Sequence, residues 1–455
     1  MTLENLLATW LVKQRWFAGK GRVVHDLAIV SDTVVVEGDP GLRHLVVAIS
    51  HDTTVDSYQL FIGFRSALPP ELRHVRIGTL DGWTVYDGLH DAVLTRSLSE
   101  ALATGATIGS LRFMPIPGMP VETEADSLVL TGEQSNTSLV FGESAILKVF
   151  RRLAPGPNPD LEVAAALARL GSAHVAEPYA WIETRLDGAT TVLAILSRYL
   201  RAASDGWSLA GTSVRDLYAN VTSGALEVSA SGVVSASGVG GDFAGEAERL
   251  GIATAQVHAD LADAFGTDEV QPDAIRDMAE QMFRRLDLAV AAVPEMARYG
   301  DMIGSYYSDL AKLKSPIPVQ RVHGDYHLGQ VMRTQTGWVV LDFEGEPASP
   351  LAQRRARSSP LRDVAGMLRS FDYAARHQLL FHPERIRLAA AASDWVRRNS
   401  EAFCRGYALG GGPDPDDNAV LLRALTLDKA VYEVMYEARH RPAWLPIPLE
   451  SLAEF

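Results

Sequence analysis

The chain has 455 residues, 47% of them hydrophobic and 22% charged, with a formal net charge of −14. That size and balance suit a globular protein of about two or three domains with a sizeable core, and the acidity argues against nucleic acid or an anionic membrane surface as a partner. A single cysteine, Cys404, permits no intrachain disulfide and reads as a small buried apolar residue.

Residues 1 to about 88 read as a β-rich unit behind a short helix. The start lacks the basic region of a signal peptide, and no run approaches the roughly 18 apolar residues of a membrane span, so a cytoplasmic protein is expected. Thr33 to Val36, Leu45 to Ile49 and Tyr58 to Phe64 are rich in Val, Ile, Tyr and Phe and bounded by Gly, Pro and Asp. Nothing here has catalytic spacing, and Trp16 and Phe17 read as core. Residues 89 to 104 switch to helical period, with Leu89, Val93, Leu94, Leu98, Ala101 and Leu102 on one face.

Between residues 105 and 200 a second constellation follows. Two strand-like segments, Ser127 to Leu130 and Thr137 to Phe141, flank the loop Thr131-Gly132-Glu133-Gln134-Ser135-Asn136. A further strand, Ala145 to Phe150, carries one inward-facing lysine, Lys148. A hairpin followed by a lysine-bearing strand is the order of a kinase small lobe, where the ammonium neutralises nucleotide phosphates. The loop has one glycine rather than Gly-x-Gly-x-x-Gly, so backbone amides and the hydroxyls of Ser135 and Thr137 are its phosphate-binding groups. The next helix is capped by Asn158, starts at Pro159 and closes at Gly171. Glu162, near its start, is the candidate partner for Lys148; the alternative is a solvated first-turn glutamate favoured by the helix dipole. Thr190 to Leu200 reads as a strand running into a connector, with no side chain that identifies an adenine reader.

From residue 201 the pattern is mostly helical. Residues 221 to 241, rich in Ser, Gly, Val and Ala, read as a mobile loop or weak hairpin. His258 lies on a buried helix and reads as structural. Then come Arg321-Val322-His323-Gly324-Asp325-Tyr326-His327-Leu328-Gly329-Gln330-Val331 and Trp338-Val339-Val340-Leu341-Asp342-Phe343-Glu344-Gly345-Glu346-Pro347. These are two short strands separated by a turn, each delivering carboxylates near its end. Phosphoryl transfer needs a carboxylate to orient the attacking hydroxyl and oxygen ligands to hold a metal. Asp325 is the base candidate, Asp342 the main metal ligand, and Gln330 and Glu344 supporting ligands. His323 is counted with the substrate side, while His327 and Glu346 read as loop scaffold. Near the C-terminus, Lys429, Tyr432, Glu433, Tyr436 and Arg439 share or adjoin one helical face, offering rings for sugar C–H faces and charges for hydroxyls.

The string His-Gly-Asp-x-His-x-x-Gln from His323 to Gln330, followed by Asp342-Phe343, resembles the aminoglycoside phosphotransferase and choline kinase branch of the protein-kinase-like fold. The fuller string, with Asp-Phe-Glu-Gly-Glu-Pro, is similar to actinobacterial maltokinase. So are Gln14 to Lys20, Gln134 to Ser138 and Arg441 to Leu449, and Gln330 in place of Asn agrees with that narrower family.

The resemblance implies an α+β bilobal kinase-like fold with an N-terminal β-rich cap. The cap would span 1–88, the small lobe 89–200 and a helical lobe 201–455. It implies ATP and magnesium as cofactors, with Lys148, Glu162, Gln134, Ser135, Asn136 and Thr137 on the nucleotide. Asp363 would bond the catalytic-loop backbone. Maltose would be phosphorylated at its anomeric hydroxyl to maltose 1-phosphate, feeding α-glucan (glycogen) synthesis, with possible non-covalent association with trehalose synthase. Two alternatives stand beside it: a kinase for glucosamine or an aminoglycoside, and a kinase-like binding module without catalysis. The joint presence of Lys148, Asp325, Gln330 and Asp342 argues against the module.

Overall fold

The computed structural model describes residues 2–455 apart from 21–22, 52–53, 131, 133–134, 227–241 and 348. Gln134 and most of the stretch expected as a loop or weak hairpin therefore lie outside the described residues. The chain divides into two compact units, Met1–Ala165 with Ala176–Arg201, and Ala166–Val175 with Ala202–Phe455.

The first unit opens with α1 (Leu3–Leu11), whose N-terminus is capped by the Thr2 hydroxyl. Strands β1 (Val24–Val36), β2 (Gly41–His51), β3 (Thr54–Arg65), β4 (Arg76–Leu80) and β5 (Trp83–Asp87) form an antiparallel sheet in the order β1-β2-β3-β5-β4. Trp16 and Phe17 pack on Tyr58 in its core, as their apolar character suggested. Helix α2 (Ala92–Thr104) begins at an Asp91 cap and ends at Gly105, where a φ of +67° closes the helix in the left-handed conformation that glycine tolerates.

A seven-stranded sheet follows. Its strands are β6 (Thr107–Ile108), β7 (Leu111–Pro115), β8 (Ser127–Val129), β9 (Thr137–Phe141) and β10 (Ala145–Val149), joined by β12 (Pro178–Leu186) and β13 (Ala189–Arg198). They run in the order β6-β7-β12-β13-β10-β9-β8. The short β11 (Arg152–Leu153) leaves this sheet and pairs with β3 of the first one. Gln59 of β3 also donates to the carbonyls of Phe150 at 2.7 Å and Leu193 at 2.6 Å. The first sheet is thus stitched to the segment directly after the lysine strand. Helix α3 (Pro159–Arg169) starts at Asn158, whose Oδ1 accepts from Leu161 N–H at 3.0 Å.

In the second unit β14 (Ser204–Asp205) precedes α4 (Gly206–Thr222), α5 (Ala244–Phe265), β15 (Thr267–Val270), α6 (Pro272–Ala292) and α7 (Gly300–Ala311). Next come β16 (Ile317–Gln320), β17 (Val331–Arg333), β18 (Trp338–Val340), α8 (Leu351–Arg354), α9 (Leu361–Leu379), α10 (Arg385–Leu409), α11 (Ala419–His440) and α12 (Pro446–Ser451). Strands β14, β17 and β18 make one small sheet, and β15 pairs with β16. Helices α5 and α10 cross with backbones nearly touching: a Cβ on Gly406 would fall 2.0 Å from the Glu248 carbonyl, and one on Gly251 would fall 2.2 Å from that of Phe403. Among the described residues no helix is long and apolar enough to cross a membrane.

Candidate active site

The loop between β16 and β17 is held from below by Asp363, in the first turn of α9. Its carboxylate accepts from the backbone N–H of His323 at 2.7 Å and of Gly324 at 2.9 Å, and meets His258 Nε2 at 3.1 Å. Burial alone would push this carboxyl up. The His258 hydrogen bond, the nearby imidazoles and the Gly324 N–H outweigh that and hold it below the ordinary carboxylate range. His258 is structural, as expected, its other nitrogen meeting the Tyr407 hydroxyl at 2.8 Å.

His323 is only 2% exposed and is not among the residues that line the cavity beside Asp325. Its Nε2 meets the Leu341 carbonyl at 2.8 Å, which makes that nitrogen the donor and leaves Nδ1 to accept from Asp325 N–H at 3.3 Å. The ring lies between Tyr326 and Phe343. His323 therefore aims Asp325 through the backbone. His327 is also scaffold, its Nδ1 accepting from Gly329 N–H at 3.0 Å, with burial pulling its imidazole pKa down.

Register brings the proposed metal ligands together. Val331 lies opposite Val340 in the β17–β18 pair, so Gln330 and Asp342 flank the same end. Gln330 Nε2 donates to Asp342 Oδ2 at 2.9 Å, and Leu341 N–H donates to the Gln330 carbonyl at 2.9 Å. Asp342 sits at φ +64°, a left-handed conformation uncommon outside glycine and often found at functional sites. Glu344 follows on the same turn, half-buried.

A cavity of about 380 Å³ opens beside Asp325, with Glu346, Arg362, Asp428, Lys429 and Tyr432 among its lining residues. Lys429 Nζ lies 3.5 Å from Asp325 Oδ1 and 3.7 Å from Glu346 Oε2. Burial would lower the lysine pKa, but the charges of Asp325, Glu346 and Glu433 more than offset this and raise it, so the ammonium keeps its proton. The Tyr432 hydroxyl donates to Glu346 Oε1 at 3.1 Å. Glu346 is thus part of the cavity rather than scaffold: Gly345, at φ +70°, reverses the chain between Glu344 and Glu346.

The other three residues of the proposed sugar face are not in this lining. Glu433 turns toward α9 and accepts from Arg369 Nε at 2.8 Å, where the guanidinium is 3% exposed. Tyr436 lies two turns beyond Lys429, about 10 Å along the axis, and is 41% exposed. Arg439 is further along and exposed.

In the first unit Lys148 Nζ donates to Asp160 Oδ2 at 2.9 Å. The sequence pattern does not single out Asp160, which shares the first turn of α3 with Glu162. Both follow an N-cap, so local spacing does not rank them. Thr137 is buried and its hydroxyl accepts from Arg151 Nε at 2.8 Å, so that oxygen faces the core rather than a loop ligand. Ser135 is exposed and Asn136 half-buried.

A lysine strand in an antiparallel sheet, a His-Gly-Asp loop seated on a buried aspartate, and a Gln–Asp pair at adjoining strand ends define a phosphotransferase of the protein-kinase-like class. Comparison with known proteins is narrower. Residues 10–91 match the family described as the maltokinase N-terminal cap domain. The glucosamine kinase of Streptacidiphilus jiangxiensis is 32% identical over 348 residues, 74% of this chain and 74% of that protein. That of Mycolicibacterium smegmatis is 31% identical over 336 residues, 71% and 78% of the two chains. A solved glucosamine kinase in complex with glucosamine, ADP and inorganic phosphate aligns over 100% of this chain and 99% of that one. Its TM-score is 0.67 and its identity 24%, a likeness of fold. The chain belongs to the family of these kinases, ATP-dependent kinases of small molecules. The likeness to maltokinase is met in the cap, whereas the relatives matched along most of the chain are glucosamine kinases.

Proposed function

We propose that the cavity beside Asp325 receives a neutral sugar, and that this sugar is maltose, phosphorylated at its anomeric hydroxyl. The observation that carries the reading is the pairing of charge in the cavity. Asp325 and Glu346 share Lys429, Asp428 is paired with Arg285, and Asp363 is taken by His258 and two backbone N–H groups. Each lining carboxylate already has a cationic or N–H partner, so a protonated amino sugar would meet a charged lysine beside Asp325, although Asp325 Oδ2 and the buried, unpartnered Asp428 Oδ1 keep acceptor positions open. A neutral sugar needs only hydrogen bonds, which Lys429, Tyr432 and Glu346 offer. The cap match and the C-terminal string Arg441 to Leu449 support the same acceptor.

Lys429 donates to Asp325 Oδ1, leaving Oδ2 to accept from the acceptor hydroxyl. As that oxygen bonds to the γ-phosphorus of ATP, its proton passes to Asp325 and the β–γ bridge bond breaks to release ADP. Gln330, Asp342 and Glu344 supply an amide oxygen and two carboxylates, hard donors that suit magnesium, and the Gln330–Asp342 hydrogen bond holds two of them together. Magnesium bound there supplies positive charge against the phosphates. Lys148, steadied by Asp160, is the proposed partner of the α- and β-phosphates, with Gln134, Ser135 and Asn136 in the loop. Non-covalent association with a trehalose synthase, and use of the product in α-glucan synthesis, follow from the resemblance and belong to this proposal.

A second reading, glucosamine as acceptor, is favoured by the relatives themselves. A coupled ADP-release assay across maltose, glucose, trehalose, glucosamine and kanamycin separates the two. Maltose is expected to have the highest kcat/KM; glucosamine ranking first would replace it.

The cavity also redirects mutagenesis of α11. Losing a hydrogen bond to substrate removes about 1–3 kcal/mol. Lys429→Ala or Tyr432→Phe should therefore raise the acceptor KM about tenfold, with the ATP KM nearly unchanged. Tyr436→Ala and Arg439→Ala should leave the acceptor KM within about twofold, because neither residue reaches the cavity. A large acceptor effect confined to the exposed pair would move the sugar up the helix.

A further inference from the structure

We propose that Arg151 is a positioning residue that ties the end of the phosphate loop to the N-terminal sheet. ATP affinity would then depend on cap residues that do not touch nucleotide. Arg151 is 1% exposed, and its donors are divided between elements. Nε donates to Thr137 Oγ1 at 2.8 Å, and Nη2 donates to Asp87 Oδ2 at 2.7 Å. The guanidinium lies over the Trp16 ring, 4.7 Å from its centroid. Nη1 is buried without a partner.

Thr137 is the first residue of β9, directly after Ser135 and Asn136. It pairs in register with Val149, the neighbour of Lys148. Asp87 ends β5 of the first sheet and also caps the turn that follows by accepting from Leu89 N–H. The Arg151 carbonyl accepts from Gln59 N–H at 2.9 Å, so the residue is held to β3 by its backbone as well. One guanidinium thus fixes the loop's exit against two cap side chains.

Stability alone does not account for it. A buried ion pair is often no better than apolar packing of the same volume, and here one guanidinium nitrogen is left unsatisfied. What a planar fork does provide is fixed geometry between two acceptors, which a lysine, with one nitrogen, does not reproduce. A loop that binds phosphate through backbone amides depends on such geometry, because a small displacement misdirects every N–H together.

The inference rests on the reading that the loop ending at Thr137 meets the ATP phosphates. Thr137→Val removes only the hydroxyl and keeps the volume, Arg151→Lys keeps the charge, and Asp87→Asn alters only the cap end. ADP affinity by calorimetry and both KM values are measured for each variant and for the Thr137→Val, Arg151→Lys pair. Each single variant is expected to weaken ADP binding and raise the ATP KM about five- to tenfold, with the acceptor KM within about twofold. The double variant should be no worse than the weaker single, since both changes cut one link. Wild-type ADP affinity in folded Thr137→Val overturns the proposal even if Arg151→Lys fails to fold. So does an acceptor KM that rises as much as that for ATP. If Lys148→Met loses ADP while Thr137→Val does not, the nucleotide reading stands and the positioning role falls.

Discussion

Asp325→Asn is expected to lower kcat about 100- to 10,000-fold, the usual contribution of a positioned general base, while leaving the protein folded. The carboxylate shares Lys429 with Glu346, so neutralising Asp325 leaves the ammonium still paired at 3.7 Å and strands no buried charge. The asparagine side chain would keep the shape and the backbone link to His323, since that contact uses the Asp325 N–H. What is lost is the oxygen that accepts the acceptor's proton. Turnover by coupled ADP release and thermal unfolding are the two measurements. A kcat within tenfold of wild type in a folded Asp325→Asn protein would remove Asp325 from the reaction.

The grouping of the candidate residues Asp325, Gln330 and Asp342 was legible because they lie close together in sequence. Asp325, Gln330 and Asp342 sit on one loop and one hairpin, where strand register alone brings Gln330 to Asp342. The fold was legible for a similar reason: the lysine strand, the capped helix after it and the late helical run each have local signatures. The groups misplaced or missed depend on partners far along the chain. A helical wheel places Glu433 beside Lys429 but does not say that Arg369, 64 residues earlier, will take its carboxylate. Glu346 depends on the reversal at Gly345, and the sequence signals a glycine there but not its direction. Arg151 directly follows the lysine strand and has no local signature of its own. Its meaning comes from Asp87, in a sheet whose pairing with β11 no periodicity reveals, and from Trp16, in the segment between α1 and β1.

Asp363→Ala is expected to lower the stability of the second unit by about 3–5 kcal/mol, the range for breaking a buried charged partnership, and to loosen the loop that carries Asp325. The change would leave His258 Nε2 and the N–H groups of His323 and Gly324 without their acceptor in a dry environment. Gly324, at φ +85°, has little intrinsic preference for its conformation, so the two backbone bonds to Asp363 select it. Hydrogen exchange at the His323 and Gly324 amides should therefore accelerate, and kcat should fall with the loss of a fixed Asp325. The pH dependence gives a separate check. The folded carboxyl titrates below its unfolded value, so its contribution is fully present above the ordinary carboxylate range and is lost as pH falls through the folded value. Wild-type stability should therefore decline on acidification below about pH 4, and Asp363→Asn should flatten that decline. Slow amide exchange at His323 and Gly324 in folded Asp363→Ala, with wild-type melting, would show that the loop is held by something else.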